Sequence, residues 1–451
     1  MARGSYWALR AVSANAWAPA LAAAALMQAG CGRASDGDAP SLSKPAEGEI
    51  PKIDVPANGP KLGALAEVTP ILERPATGSK QIGYLHAGAR VARAEEAHGK
   101  DGCDGGWYPI RPRGFVCSGE SATTDLAHPT LAAMSLQPKL DQPLPYTYAR
   151  TTKETALLAR DPGRDNAVRE SGKLRAKSVL AVVGSWQALD PDGKMQRLGM
   201  LTNGRFVSAS DLTAAELPPF KGVELNDKLA LPIAFVVKRG VRYWNVEKGE
   251  ADKLAKIDYH AMIPLTGRYR EVESLRYWAT ADNRYVRHRD VTALRERSVF
   301  PDFATGDQKW IDVSIIMGTL VLYEGRQPVY ATLASVGRDR LGDPATTAST
   351  KMGVFEIVGK QITKSRVEPK SIADYIDVYD PPWALELSSG QMILGATWHD
   401  RFGIDHGLGH IQLSPPDAVR VWHWAEPALP ESWHGTQLPA DARKTIVYVR
   451  K

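Results

Sequence analysis

Residues 309–338 read KWIDVSIIMGTLVLYEGRQPVYATLASVGR, and this stretch decides the fold class. Short runs of Val, Ile, Leu, Tyr and Thr predict three strands, with a hairpin at Tyr323-Glu324-Gly325-Arg326-Gln327. The wider composition agrees. Twelve Trp and fifteen Tyr stand against eight Phe, which favours strands and polar-tipped contact surfaces over helical bundles. At 451 residues the chain is long enough for about three domains of ~150 residues. The net charge of +5 is spread through interspersed Lys, Arg, Asp and Glu. It lacks the basic run that marks a nucleic-acid arm, so no nucleic-acid partner is expected.

The N-terminus reads as an export signal. Arg3 and Arg10 lead into an apolar, Ala-rich stretch from Ala16 to Met27, followed by Ala29, Gly30 and Cys31. A lone cysteine in that place is where bacterial lipoproteins are cleaved and acylated. Residues 1–31 are therefore expected to be a lipoprotein signal with Cys31 lipidated. Gln28 in place of the usual Leu, and Pro19 within the apolar run, depart from that pattern; ordinary secretion, with Cys31 free or removed, is the alternative. The run is shorter than the ~20 apolar residues a membrane span needs. Residues 32–62 are rich in Pro, Ser, Gly, Asp and Lys and hold no aromatics, which predicts a flexible tether. The expected location is the periplasm-facing cell envelope, with a lipid anchor in the membrane. Gly32 rather than Asp after the cysteine fits the outer membrane.

Cys103 and Cys117 lie in DGCDGGWYPIRPRGFVC, which reads as two strands joined by a turn. In an oxidising compartment they are expected to form a disulfide; two reduced buried thiols are the alternative. No cysteine follows Cys117.

Between residues 63 and 298 a pattern recurs. Gly114-Phe115-Val116 leads to Glu120, Arg205-Phe206-Val207 to Asp211-Leu212-Thr213, and Arg284-Tyr285-Val286 to Asp290-Val291-Thr292. Upstream of the first and last stand the aromatic pairs Trp107-Tyr108 and Tyr277-Trp278. Short alternating segments between Gly and Asp turns predict small β-barrels, in units at 63–128, 145–215 and 225–298. The middle unit reads either as a divergent copy or as part of the third. The pattern resembles bacterial SH3-type domains, which implies peptidoglycan binding or a spacer role. Most of the aromatics are expected to fill small cores rather than stack on sugars.

From residue 308 to 450 the sequence resembles the L,D-transpeptidase catalytic domain. The features that carry the resemblance are the opening strands, Thr350-Lys351-Met352-Gly353, Pro382-Trp383, the stretch from Gly395 to Gly403, Leu413-Ser414-Pro415, and the tail from Trp424 to Gly435. The resemblance implies a mixed, mostly β domain, so the whole chain is expected to be mainly β. It also implies acyl transfer to peptidoglycan peptides through a cysteine thiolate, a histidine and backbone oxyanion donors. Laid without a gap between Phe402-Gly403 and Leu413-Ser414-Pro415, the family's cysteine position falls on His410. Its motif histidine falls on Leu408, its Ser/Thr on Gly407 and its Asn/Arg on Gln412. Gly409 is kept. The earlier histidine position is Leu394, beside the retained Gly395. An alternative placement at Asp405-His406-Gly407-Leu408 recovers one histidine but no cysteine. Imidazole cannot form the thioester and leucine cannot move protons, so the domain reads as a pseudoenzyme.

His399, His406, His410 and His423, with Asp400 and Asp405, crowd one segment. A metal site would need two or three of these imidazoles to converge; Gly407 and Gly409 argue for loop, and His399 is one that this subgroup of the family keeps outside the motif. Neither a metal nor another cofactor is expected. Ser388, Ser389 and Ser414 lack a nucleophile-elbow context, and dinucleotide and P-loop fingerprints are missing. The expectation is an envelope lipoprotein that binds peptidoglycan or cell-wall enzymes; the alternative is an active acyl transferase with a non-cysteine nucleophile.

Overall fold

Gly325 and Arg326 form the two-residue turn between strands Thr319–Glu324 and Gln327–Leu333. Gly325 has φ +56°, and a Cβ there would come 2.1 Å from the Gly306 carbonyl oxygen, so glycine is required. The third member of the predicted stretch, Lys309–Ser314, pairs antiparallel with Thr319–Glu324. Successive side chains of these strands enter two different cores. Ile311, Val313, Leu320 and Leu322 face the domain's own interior. Trp310, Val321, Tyr323 and Leu333 face a second core shared with Phe220, Ile233 and Phe235. Both faces are covered, which is why the sequence is apolar almost throughout instead of alternating.

The computed structural model describes residues 53–247, 249–365, 377–439 and 442–451. The expected export signal at 1–31, with the expected lipidation at Cys31, and the expected tether up to residue 52 lie outside the described residues. The described remainder of the expected flexible tether packs onto the first unit. Val55 and Leu62 are buried, Arg111 Nη1 donates to the Val55 carbonyl at 3.2 Å, and a strand begins at Lys61. Among the described residues no helix is long and apolar enough to cross a membrane.

In the C-terminal domain the first strand, Lys309–Ser314, lies parallel to the last, Ile446–Arg450. That last strand pairs with the front half of the long strand Gly353–Thr363, whose rear half pairs with Pro382–Leu387 and Gly435–Gln437. Met392–Gly395 and then Ile411–Leu413 continue from Pro382–Leu387. Helix Pro415–Trp424 starts at Ser414, whose side chain accepts from Asp417 N–H, with Pro at the first turn.

Ahead of this domain one seven-strand plan occurs three times. Thr147–Ala214 and Ile233–Leu294 each run in the spatial order third, second, sixth, fifth, fourth, first, seventh. The strands of Lys61–Thr123 follow the same order, with the fourth and fifth joined by the single bridge Arg93 to Ile110. The recurring Phe-Val or Tyr-Val pair is the sixth strand in each unit. The acidic residue after it has a repeated function in two units: Lys153 pairs with Asp211 at 3.0 Å and Lys238 with Asp290 at 3.5 Å. The middle segment is thus a full copy of the plan, not part of the third unit. One expectation needs correction: the mostly β class holds, but none of the described sheets closes into a barrel. The third and seventh strands stay apart as edges, and in the first unit the third strand instead finds a partner in the C-terminal domain.

That partner is Gly435–Gln437, which pairs with Gln81–Leu85 through Gly83 to Thr436 and Tyr84 to Gly435. The second unit is fixed elsewhere. Thr202 Oγ1 donates to Asp380 at 2.5 Å, Thr363 Oγ1 donates to the same carboxylate at 3.2 Å, and Tyr148 O–H donates to the Asp380 carbonyl. In the first unit the expected disulfide between Cys103 and Cys117 is formed.

Two predictions follow from these contacts. With the cysteines 14 positions apart in sequence, replacing both by Ala should lower stability by about 3 kcal/mol in the chain-entropy account; an unchanged urea midpoint would contradict this. Burial pushes the Asp380 carboxyl up to about 7 from 3.8, against the opposing bonds from Thr202 and Thr363. A carboxyl raised in the folded state contributes stability that is fully present below pH 4 and lost as pH rises to about 7. The unfolding free energy of the native chain minus that of Asp380→Asn should therefore fall across this window, by roughly 4 kcal/mol at most. A difference that stays constant from pH 4 to 8 in urea titrations would sink the assignment.

Candidate functional site

Strand Met392–Gly395 and strand Ile411–Leu413 lie side by side and parallel, with Leu394 opposite Gln412 and Gly395 opposite Leu413. This pairing brings together positions 394, 410 and 412, which are remote in sequence. Just before the second strand, His410 Nδ1 accepts a hydrogen bond from Met392 N–H at 3.2 Å. The bond leaves the ring proton on Nε2 in the neutral imidazole, so neither nitrogen offers a free lone pair for attack on a carbonyl. Gly409 keeps the turn: its φ is +95°, and a Cβ there would sit 3.0 Å from the Ser349 carbonyl oxygen. Its own carbonyl accepts from Gln391 Nε2 at 2.7 Å. Leu394 is fully buried against Ala384, Met392 and Trp398, and Leu408 is half-buried.

Gln412 is bound on its side-chain oxygen by His399 Nε2 at 2.6 Å, while His399 Nδ1 accepts from Arg401 N–H at 3.1 Å. These two contacts fix one neutral tautomer. Burial pushes the His399 ring down to about 4, although the Gln412 bond favours the protonated form. The His406 ring meets His399 edge to face at 4.7 Å and is also lowered, first by burial and then by the charge of Arg401.

The histidines do not converge as ligands. His423 lies on helix Pro415–Trp424 and bonds the Leu140 carbonyl at 2.8 Å, away from the other three. Asp400 pairs with Arg239 and Asp405 with Arg340. Both nitrogens of His399 are used, and among the described residues no group of three His, Cys, Asp or Glu side chains is placed to hold a metal.

Sequence reasoning gave no role to Gln391, Ser335 or Thr350. Ser335 exchanges backbone hydrogen bonds with Gln412 at 2.8 Å, and its hydroxyl donates to the Arg401 and Ile404 carbonyls. Thr350 Oγ1 accepts from Gly337 N–H at 2.8 Å. Their partners are backbone atoms, which leave no mark in residue identity. What the site can do chemically follows from its groups. It has neutral, hydrogen-bonded imidazoles and amides and a leucine floor. The described C-terminal domain has no thiol, since the chain's cysteines are Cys31, Cys103 and Cys117.

No family model matches the chain, and no curated protein matches it. Among solved structures it is similar to an L,D-transpeptidase (residues 123–326) from Xylanimonas cellulosilytica, at 14% identity over 34% of this chain, TM-score 0.22. That match spans 64% of the Xylanimonas chain, under two thirds of its length. It is also similar to the catalytic domain of the E. faecium L,D-transpeptidase, at 16% identity over 32% of this chain and 97% of that one, TM-score 0.24. A third similar structure is the L,D-transpeptidase from Mycobacterium smegmatis, at 18% identity over 52% of this chain and 98% of that one, TM-score 0.25.

The tautomer assignments are testable. In a long-range 1H–15N spectrum at pH 5, His399 should still be neutral and protonated on Nε2, because its ring is pushed down to about 4. In Gln412→Leu the Nε2 resonance should move while the fold is kept. A His399 that titrates near 6.5 would refute the buried, doubly bonded geometry.

Proposed function

We propose that the chain is a cell-envelope lipoprotein whose C-terminal domain has the frame of an L,D-transpeptidase without its chemistry, and that it binds peptidoglycan. In this reading Cys31 carries the lipid and residues 32–52 give reach. The three repeated units act as SH3-type modules, and the half-buried surface at Leu408 and His410, above the buried Leu394, receives a wall peptide or a wall enzyme without cleaving it. One observation carries the reading. If the resemblance assigns nucleophile and base to positions 410 and 394, these lie at neighbouring parallel strands and hold a hydrogen-bonded imidazole and a buried leucine. A covalent acyl step needs a deprotonated nucleophile with a base beside it; here the candidate ring nitrogen is engaged and the neighbouring side chain is aliphatic. The interspersed surface charge, net +5, is compatible with an anionic wall polymer.

The experiment has two arms. After incubation with a carbapenem, intact mass should show no adduct, and the full chain should sediment with purified peptidoglycan. A stable adduct on His410 or a serine would establish an active acyl transferase, and failure to sediment would remove the binding role.

A further inference from the structure

The turn that follows strand Gln81–Leu85 holds a histidine whose hydrogen bonding is incomplete. His86 is 6% exposed, and its buried Nε2 has no hydrogen-bond partner among the described residues. Leaving such a buried group unpaired is costly, so the site asks for a partner. The neighbouring His434, its ring centroid 4.6 Å away, does not supply one, because its own Nε2 is engaged with Thr363 Oγ1 at 2.8 Å.

Both rings line a cavity of about 340 Å³, within the usual range for small-molecule sites. Three parts of the chain wall it: the 86–90 turn, the segment 131–140, and Ile362 with residues 432–434 of the C-terminal domain. The walls are fixed. A Cβ on Gly88 would lie 1.9 Å from the Met134 carbonyl oxygen, and His434 N–H donates to Tyr84 O at 2.9 Å. Leu131, Leu140, Ile362 and Trp433 give an apolar body to the lining. Arg90, at the other end of the turn, carries the only permanent charge among the lining residues. It is exposed and forms no ion pair with the described residues.

We propose that this cavity is a binding site for a small carboxylate with an apolar body and a hydroxyl group. The hydroxyl completes His86 Nε2, acting as donor or acceptor as the tautomer requires, while the carboxylate meets the Arg90 guanidinium. The inference is independent of the peptidoglycan reading, because it concerns a different part of the chain and needs no wall polymer.

Three probes separate the contributions: 3-phenyllactate, 3-phenylpropionate lacking the hydroxyl, and methyl 3-phenyllactate lacking the acid. With the full chain, 3-phenyllactate should bind saturably at millimolar concentration and move the His86 ring 15N resonance. Each of the other two should bind at least about tenfold more weakly, the factor expected for one lost hydrogen bond to a charged or buried group. Arg90→Ala, on the surface and neutral for folding, should weaken 3-phenyllactate about tenfold but leave the methyl ester unchanged. His86→Phe should erase the advantage of the hydroxyl. The proposal is overturned if no probe shifts the ring, as when water alone completes Nε2. It is equally overturned if 3-phenylpropionate binds as well as 3-phenyllactate, or if Arg90→Ala affects acid and ester alike.

Discussion

Burial of both faces of the 309–333 strands is the constraint on which the remaining architecture depends. A sheet with two apolar faces needs two covers. The domain supplies one from its own helix and second sheet. The other has to come from residues 220–235 and the third unit, whose Phe220, Ile233 and Phe235 lie on Trp310, Tyr323 and Leu333. The cross-strand pair Trp310 and Tyr323 stacks at 4.3 Å within that core. A buried carboxylate fastens the arrangement. Asp417, at the first turn of helix Pro415–Trp424, accepts from Tyr330 O–H at 2.6 Å, from Thr332 Oγ1, and from Gly222 N–H at 2.7 Å. Helix, hairpin strand and inter-unit chain therefore meet at one group. Burial raises its carboxyl and the bonds oppose the rise. Removing the acceptor would leave several buried donors unpaired at once, which is far more costly than losing a surface contact.

The same sheet logic sets the shape of the candidate site. Pairing of Met392–Gly395 with Ile411–Leu413 uses backbone atoms, with Gly395 opposite Leu413. Leucine at 394 fills space against Trp398, and the imidazole at 410 bonds a backbone amide. Each of these side chains satisfies a packing or hydrogen-bonding requirement of the sheet around it.

What the sequence makes legible is local. The 309–338 hairpin, the disulfide loop and the Phe-Val or Tyr-Val strands with their acidic followers are set by residues within about a dozen positions of each other, where periodicity and turn chemistry operate. Strand order is not local, which is why the middle unit could be read as a fragment until its seven strands were seen to repeat the third unit's path. Barrel closure failed for the same reason: it depends on which edges meet. The tether reading overran because Ile53 and Val55 lie in a Pro-rich setting, yet their burial is decided by Arg111 and by the core of the first unit. At the candidate site Gly409 sits in a turn with φ +95°, whereas Gly407 closes the short strand Asp405–Gly407. The separation of His423 from the other histidines came from a helix that carries it toward Leu140. The cavity beside His86 and His434 had no signature at all, being walled by the 86–90 turn, residues of the 131–140 segment, Ile362 and residues 432–434.

The bond between Thr436 Oγ1 and the Ile82 carbonyl joins residues 354 apart in sequence, beside the ladder that binds Gln81–Leu85 to Gly435–Gln437. Of the described units the first is synthesised before the others, yet one edge of its sheet stays unpaired until residues 435–437 follow. An open edge with free N–H and C=O groups is a template for pairing with other chains, and slow completion of long-range strand pairs prolongs that exposure. The seam thus imposes a schedule. During synthesis and any passage across a membrane, residues 81–85 need protection by a chaperone or by dilution, and a truncation near the C-terminus would present itself first as aggregation through the N-terminal unit.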